Sequence, residues 1–328
     1  MAVDFSALSA YVDQVSGKLI KKALLTDRTV QTGITIQTGI KSQESINILS
    51  GTLIGQATNC GISPTGSVAL TQRNIVVCPI TVFEDTCAPA FDAYWTQILN
   101  PAGSYYDKNP IEQIYVEQKV NAISKLSGEL LWRGDTAGYP YTGLTTSAVT
   151  GNITLCNGIL HDLEKVSGSA SVITTTSNGT TFTTGTALAT LNAIIDASLS
   201  SASDMLMRND KNIYMSYAYF NILRQALVTA NLYHYDGNPN DGRMEFTFMD
   251  YLGTGFNVIA TQGLYGTSRI VCTYAENIVL GVDLENDQDK IEVFYDKRLD
   301  TVYFRSKWKQ GAKVAFPELV VLFNGYTI

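Results

Sequence analysis

Histidine is scarce in this sequence: among 328 residues only His161 and His234 occur. A metal centre or catalytic triad therefore has little to draw on. His161-Asp162 lacks the second histidine of an H-E-x-x-H helix, and His234 sits among Tyr233, Tyr235 and Asp236. Each reads as a solvated or hydrogen-bonded side chain. There is no G-x-S-x-G elbow and no G-x-x-x-x-G-K-[ST] phosphate loop. Gly253-Thr-Gly255 opens like a dinucleotide fingerprint, but Val258 holds the third glycine position. Asp283, Glu285, Asp287 and Asp289 cluster as calcium-loop carboxylates do, yet the loop's glycine and closing glutamate are missing. A solvated acidic turn is the better reading, and neither a cofactor nor a metal is expected.

Cysteine is sparse too. Cys60, Cys78, Cys87, Cys156 and Cys272 include no C-x-x-C pair, and this odd, scattered set predicts reduced thiols. Lys and Arg number 23 against 30 Asp and Glu, a net charge of −7. That balance excludes a general nucleic-acid binder, because phosphate neutralisation needs a basic surplus. No apolar run approaches the ~20 residues of a membrane helix. Met1-Ala2-Val3-Asp4-Phe5 lacks the basic start and apolar core of a secretory signal, so a soluble protein made inside a cell is expected. What remains is globular material: 45% of residues are apolar, and a chain this long buries roughly 75% of its unfolded surface without staples.

Helical spacing marks several segments. Phe5, Leu8, Val12, Val15, Leu19 and Ala23 predict an amphipathic helix over Asp4–Leu25. Thr29 to Thr86 is β-leaning, with a turn-dense centre at Ile54–Gly66 and a strong strand signal at Asn74–Phe83. Two strand-like arms around a Gly-rich tip make a long hairpin with no core of its own, which either stays loose or lies on a neighbour. Asn109 caps and Pro110 opens a helix running to Arg133, with Ile114, Ile123 and Leu126 on its apolar face and Gly134 ending it. Val166 to Gly185 is Ser/Thr/Gly-rich and reads as a hairpin or surface loop. Further helices are expected over Ala187–Met207 and after Ser216, the latter burying Phe220, Leu223, Leu227 and Ala230. A hairpin pairs Lys290–Tyr295 with Thr301–Trp308, and a final strand is expected over Ala312–Phe323. Helices and strands mix without βαβ rhythm, so the class is α+β.

The C-terminal part places an acidic block beside a basic one, Lys297, Arg298, Arg305, Lys307, Lys309 and Lys313. In a symmetric assembly such segregation sets neighbour register by complementary charge.

In order, an N-terminal arm, an extended hairpin, a long helix, a mixed lobe and a returning strand hairpin resemble the major capsid protein of tailed bacteriophages, the Hong Kong 97-type fold. The similarity is strongest at Glu129-Leu-Leu-Trp-Arg-Gly-Asp-Thr-Ala-Gly138 through Thr142-Gly-Leu144. It is equally marked at Glu276-Asn-Ile-Val-Leu-Gly-Val-Asp-Leu284 with Val302-Tyr-Phe-Arg-Ser-Lys-Trp-Lys-Gln-Gly-Ala-Lys-Val-Ala-Phe-Pro-Glu318. The resemblance implies an N-terminal arm over residues 1–28, an extended loop over 29–86, and a peripheral domain over 87–144 with its spine helix at 110–133. It implies an axial domain over 145–270 and a return to the peripheral domain over 271–328. Some members crosslink through a lysine of the extended loop; Lys41 is the only lysine between Thr29 and Thr86, and with no matching acceptor that activity is not carried over.

The function so implied is structural, not enzymatic: self-association as hexamers and pentamers into the icosahedral shell around double-stranded DNA. Portal protein, and scaffolding or decoration proteins, are the further partners; DNA contact is weak and non-specific, and no membrane is involved. The protein would assemble in the host bacterial cytoplasm and reside in the virion capsid. Candidate inter-subunit contacts are Ile54, Cys60, Asp283, Glu285, Asp287, Arg298, Arg305 and Lys307. A nanocompartment shell of the encapsulin kind is the nearer alternative and a hydrolase using Asp/Glu pairs the more distant one.

Overall fold

A computed structural model describes residues 24, 27–55, 66–87, 111–137, 150–166, 173–175, 181–201, 208, 210–232, 248–251, 254–283, 291–296, 298–299 and 301–324. The helix expected over Asp4–Leu25 (all but Leu24), the Asn109-Pro110 cap and the hairpin tip lie outside these residues. The chain begins with α1 (Arg28–Gln31), β1 (Thr35–Gln37), β2 (Gln43–Leu53), β3 (Gly66–Val76), β4 (Cys78–Cys87) and the long helix α2 (Ile111–Arg133). The short helices α3 (Thr150–Ile153) and α4 (Ile159–His161) follow, the latter running into a π turn at Asp162–Val166. Next come β5 (Ile173–Thr175), α5 (Ala187–Ser201), β6 (Lys211–Met215) and α6 (Tyr217–Thr229). The chain closes with β7 (Phe248–Asp250), β8 (Phe256–Ala260), β9 (Arg269–Tyr274), β10 (Ile278–Val282), β11 (Ile291–Asp296), β12 (Thr301–Val314) and β13 (Val321–Asn324).

Strand β12 organises the first of the two larger sheets. One edge pairs antiparallel with β11 and then β10; the other pairs with β4 from Thr301↔Cys87 to Gln310↔Cys78. Strand β1 joins parallel to β10. The period of two sets the faces: Val302, Phe304, Ser306 and Trp308 are buried, while Tyr303, Arg305, Lys307 and Lys309 alternate outward. Helix α2 packs on the buried face, where Val116, Val120 and Ile123 join Val302, Phe304 and Trp308 in one cluster. Tyr115 meets Phe304 edge to face, with ring centroids 6.2 Å apart.

The second sheet has the order β5-β13-β9-β6-β8-β7. Leu191 and Ile194 of α5 and Phe220, Leu223 and Leu227 of α6 form its cover, packed with Ile213, Val258 and Cys272. Ser216 caps α6 as expected, accepting from the Tyr219 amide, but Ala230 lies past the helix and is exposed. Leu199 of α5 is exposed as well. The final strand also differs from expectation. Strand β12 continues to Val314, a 3-10 turn at Pro317–Leu319 breaks the chain direction, and β13 belongs to the other sheet.

The two sheets meet at the C-terminal end of α2. The Trp132 indole donates to the Thr29 hydroxyl, which hydrogen-bonds the Thr261 hydroxyl, both at 2.9 Å. The Tyr214 ring lies 5.2 Å from that of Trp132. Burial pushes the Tyr214 hydroxyl up to about 12, so it stays protonated, bonded to Thr32 at 2.9 Å and accepting from Asn212 at 3.1 Å. Buried Arg133 is held by Glu129 one turn back at 3.2 Å and donates to the Tyr265 carbonyl at 2.9 Å.

Cys78 and Cys156 form a disulfide joining the start of β4 to the turn after α3, which corrects the expectation of reduced thiols throughout. Residues 78 apart in sequence carry no spacing signal. They meet because Gly134 ends α2 where the chain folds back: Gly158 donates to the Gly134 carbonyl at 2.7 Å. A side chain at 134 would collide with the Cys156 carbonyl, 2.2 Å from the β-carbon position.

Candidate functional site

Among the described residues, strands β2 and β3 pair only with each other, from Gln43↔Val76 to Leu53↔Gly66. The hairpin is thus narrower than the expected 29–86 span, because Thr29 to Gln37 and Cys78 to Cys87 are built into the body. Its foot sits in a notch made by two glycines that face each other across β10 and β12, Gly281 and Gly311. A β-carbon at Gly311 would lie 2.1 Å from the Val76 carbonyl oxygen, and one at Gly281 would lie 2.9 Å from Ile75. At 311 only glycine admits so close a backbone approach, while at 281 the contact is with side chains of the foot. Ile75 and Val77 fill the notch with Ile40 and Val279.

Ionic contacts fix the foot from two sides. Buried Asp162, on the π turn, accepts from Arg73 of β3 through both oxygens at 3.0 Å. It also accepts from Lys313 at 2.5 Å and from the Val314 amide at 3.2 Å. On the other side Lys309 bonds Asp283 at 3.0 Å and the Lys41 carbonyl at 3.1 Å.

Beyond the foot the hairpin is uncovered on one face. Near the body that face is neutral and polar: Ser45 donates to Asn74 at 2.9 Å and Gln72 donates to Asn47 at 2.8 Å. Farther out it is apolar, with Leu49, Val68 and Leu70 66%, 75% and 69% exposed. Leu49 and Leu70 are direct cross-strand partners. No Asp, Glu, Lys or Arg occurs from Ser45 to Gln72. Solvated surface arms ordinarily carry charge; an uncharged, apolar one marks a contact surface.

The candidate contact residues fall into three groups. Ile54 is exposed just past β2, Arg298 is exposed in the turn after β11, and Arg305 and Lys307 point outward from β12. Arg305 faces Glu292 of its own hairpin at 3.8 Å. Asp283 is a correction: it is buried and bonded to Lys309 within the chain, so its charge is spent at the hairpin foot. Cys60, Glu285 and Asp287 lie outside the described residues, as does His234. Sequence reasoning missed Arg73, Asp162 and the glycine pair; Gly281 and Gly311 sit inside strand patterns, where an isolated glycine signals close backbone approach. Among the described residues no three His, Cys, Asp or Glu side chains converge as metal ligands, and no helix is long and apolar enough to cross a membrane.

No protein-family model matches the chain, and no curated protein matches it in sequence. Solved structures do match over nearly the whole length. A chain of the satellite phage P4 procapsid, a structure that includes the size determination (Sid) protein, is 13% identical; the match covers 95% of this chain and 99% of that one, with a TM-score of 0.57. The capsid of the empty GTA particle matches at 12% identity, over 91% and 90% of the two chains, with a TM-score of 0.52. The virus-like particle from Pyrococcus furiosus matches at 9% identity, over 96% and 99%, with a TM-score of 0.51. The chain is a mixed α+β protein with the fold of phage capsid proteins.

Proposed function

We propose that this chain is the major capsid protein of a tailed bacteriophage, of the Hong Kong 97 type, and that copies of it assemble as hexamers and pentamers into an icosahedral shell around double-stranded DNA. The observation that carries this reading is the uncharged hairpin, apolar and uncovered at its outer end, on a fold shared over nearly its whole length with capsid structures. In this reading β2 and β3 are the extended loop, and residues 1–28 form the N-terminal arm. Helix α2 is the spine of a peripheral domain built on β12, and the six-stranded sheet belongs to the axial domain. The hairpin then lies across a neighbouring subunit. Obligate interfaces of that kind bury on the order of several thousand Å2, which couples folding to assembly.

The chain works as a building element and carries out no reaction. A net charge of −7 limits adhesion of packaged DNA to the inner wall. Portal protein, with scaffolding or decoration proteins, completes the set of partners, and assembly takes place in the host cytoplasm to give the virion capsid. A nanocompartment shell is the second reading; particles holding genome-length DNA decide against it, and particles holding protein cargo decide for it. Deletion of Thr52–Gly66 tests the role of the hairpin. A folded subunit that closes no shells is expected, and shells of normal size refute the extended-loop assignment.

A further inference from the structure

The disulfide sits where the hairpin leaves the body. Cys78 directly follows the backbone that makes the foot: the Val77 amide donates to the Ser42 carbonyl at 2.9 Å, and the Val76 carbonyl abuts Gly311. Cys78 is also the end rung of the β4–β12 ladder, opposite Gln310. A ladder frays from its ends, so this rung opens first when the foot moves. Cys156 is fastened on the other side. The Asp135 amide donates to the Ile153 carbonyl at 2.9 Å and the Gly158 amide to the Gly134 carbonyl at 2.7 Å, which holds the turn around Cys156 on the end of α2.

Neither partner needs the bond to keep its place. Strand β4 is paired with β12 along its whole length, and Ile80 and Ile159 are both buried in the cluster under α2. What the cross-link adds is a covalent tie across one joint, between the hairpin foot and the end of α2. On the shell-forming reading the chain folds in a bacterial cytoplasm, where thiols are held reduced. Cys156 is buried and Cys78 partly exposed, so an incoming oxidant meets Cys78 first. We infer that Cys78 and Cys156 form a redox-sensitive lock on the hairpin foot, open while subunits associate and closed afterwards. This rests on the shell-forming reading and adds to it a switch built into each subunit. The oxidant is a small-molecule disulfide such as oxidised glutathione. The Cys78 thiolate attacks it, giving a mixed disulfide and one glutathione thiol; the Cys156 thiolate then attacks the Cys78 sulfur and releases the second. Two cysteine thiols thus give up two protons and two electrons, and one glutathione disulfide becomes two thiols.

The test assembles wild-type subunits in dithiothreitol, transfers the particles to oxidised glutathione, and maps the cysteines by alkylation and peptide mass. Reduced subunits should close particles, the 78–156 cross-link should form inside them, and the urea midpoint for particle dissociation should rise. Cys78→Ser particles should assemble equally well and show no rise. Particles that close only from oxidised subunits make the bond a folding staple and overturn the lock. A cross-link that does not form in closed particles, or a urea midpoint equal in both states, overturns it too. Hydrogen exchange on the unassembled subunit is a separate arm. The Val77 amide should exchange about tenfold more slowly in the oxidised chain, a larger change than in β6 or β9. Equal exchange at Val77 in the two states refutes the lock. Subunits that close no particles in either state remove the shell reading, and the exchange contrast then decides the lock alone.

Discussion

Replacing Asp162 by alanine should destabilise the subunit and release the hairpin at the same time. The buried carboxylate gathers two cations and one backbone amide: Arg73 at 3.0 Å, Lys313 at 2.5 Å and the Val314 N–H at 3.2 Å. Removing one member of a buried ion pair costs about 3–5 kcal/mol, because the other charge stays desolvated. An unmet buried amide adds about 1–3 kcal/mol. Arg73 and Lys313 are 23% and 16% exposed, so both recover some hydration, and the lower end, about 3–4 kcal/mol in all, is expected. Arg73→Met leaves Asp162 with Lys313 and Val314 and should cost only about 1–2 kcal/mol, near the worth of one charge-assisted hydrogen bond. Urea unfolding of the unassembled subunit measures both values. Hydrogen exchange separates the two effects: amides of β2 and β3 should exchange faster in both variants, whereas those of β6 and β9 should change only with global stability. A cost below about 1 kcal/mol for Asp162→Ala, or unchanged protection of the hairpin, refutes the anchor.

Ile123→Asp places an unpaired charge in the cluster between α2 and β12 and should cost several kcal/mol; a wild-type melting temperature contradicts that packing. Cys78→Ala opens a cross-link spanning 78 residues and should lower stability by about 4 kcal/mol in oxidising buffer. In dithiothreitol the variant and the wild type should unfold alike, and an equal difference in both buffers argues against the bond. Asp27 caps α1 and accepts from the Thr29 amide at 3.0 Å, and burial raises its pKa above the ordinary 3.8. The buried fold favours its neutral form, so its stabilising share is complete below about pH 3.8 and is lost as pH rises through the raised value. Asp27→Asn keeps the cap acceptor without titrating, so it should gain stability over wild type between about pH 4 and 7. Parallel pH profiles for the two proteins contradict this.

Local signals carried much of the fold. Gly134 ended α2 at Arg133, and Ser216 preceded and capped α6. Long-range consequences stayed hidden. Thr29, Trp132 and Thr261 meet only because α2 ends where the two sheets join. Asp283 belongs to an acidic run that reads as solvated, yet Lys309, two strands later in the chain, lies beside it in space and draws it inward. The expected hairpin was too wide because β-leaning residues look alike whether they pair with each other or with β10 and β12. Of the candidate contacts, Arg305 and Lys307 were legible as members of a basic block. The pairing of β4 with β12 was not, since it joins strands more than 200 residues apart.

Cryo-electron microscopy of the purified, self-associated protein tests the central claim most directly. Closed icosahedral particles are expected, in which β2 and β3 of each subunit leave their own body at Gly311 and cross onto a neighbour. A discrete monomer at high concentration, with the hairpin folded back on its own chain, would contradict it.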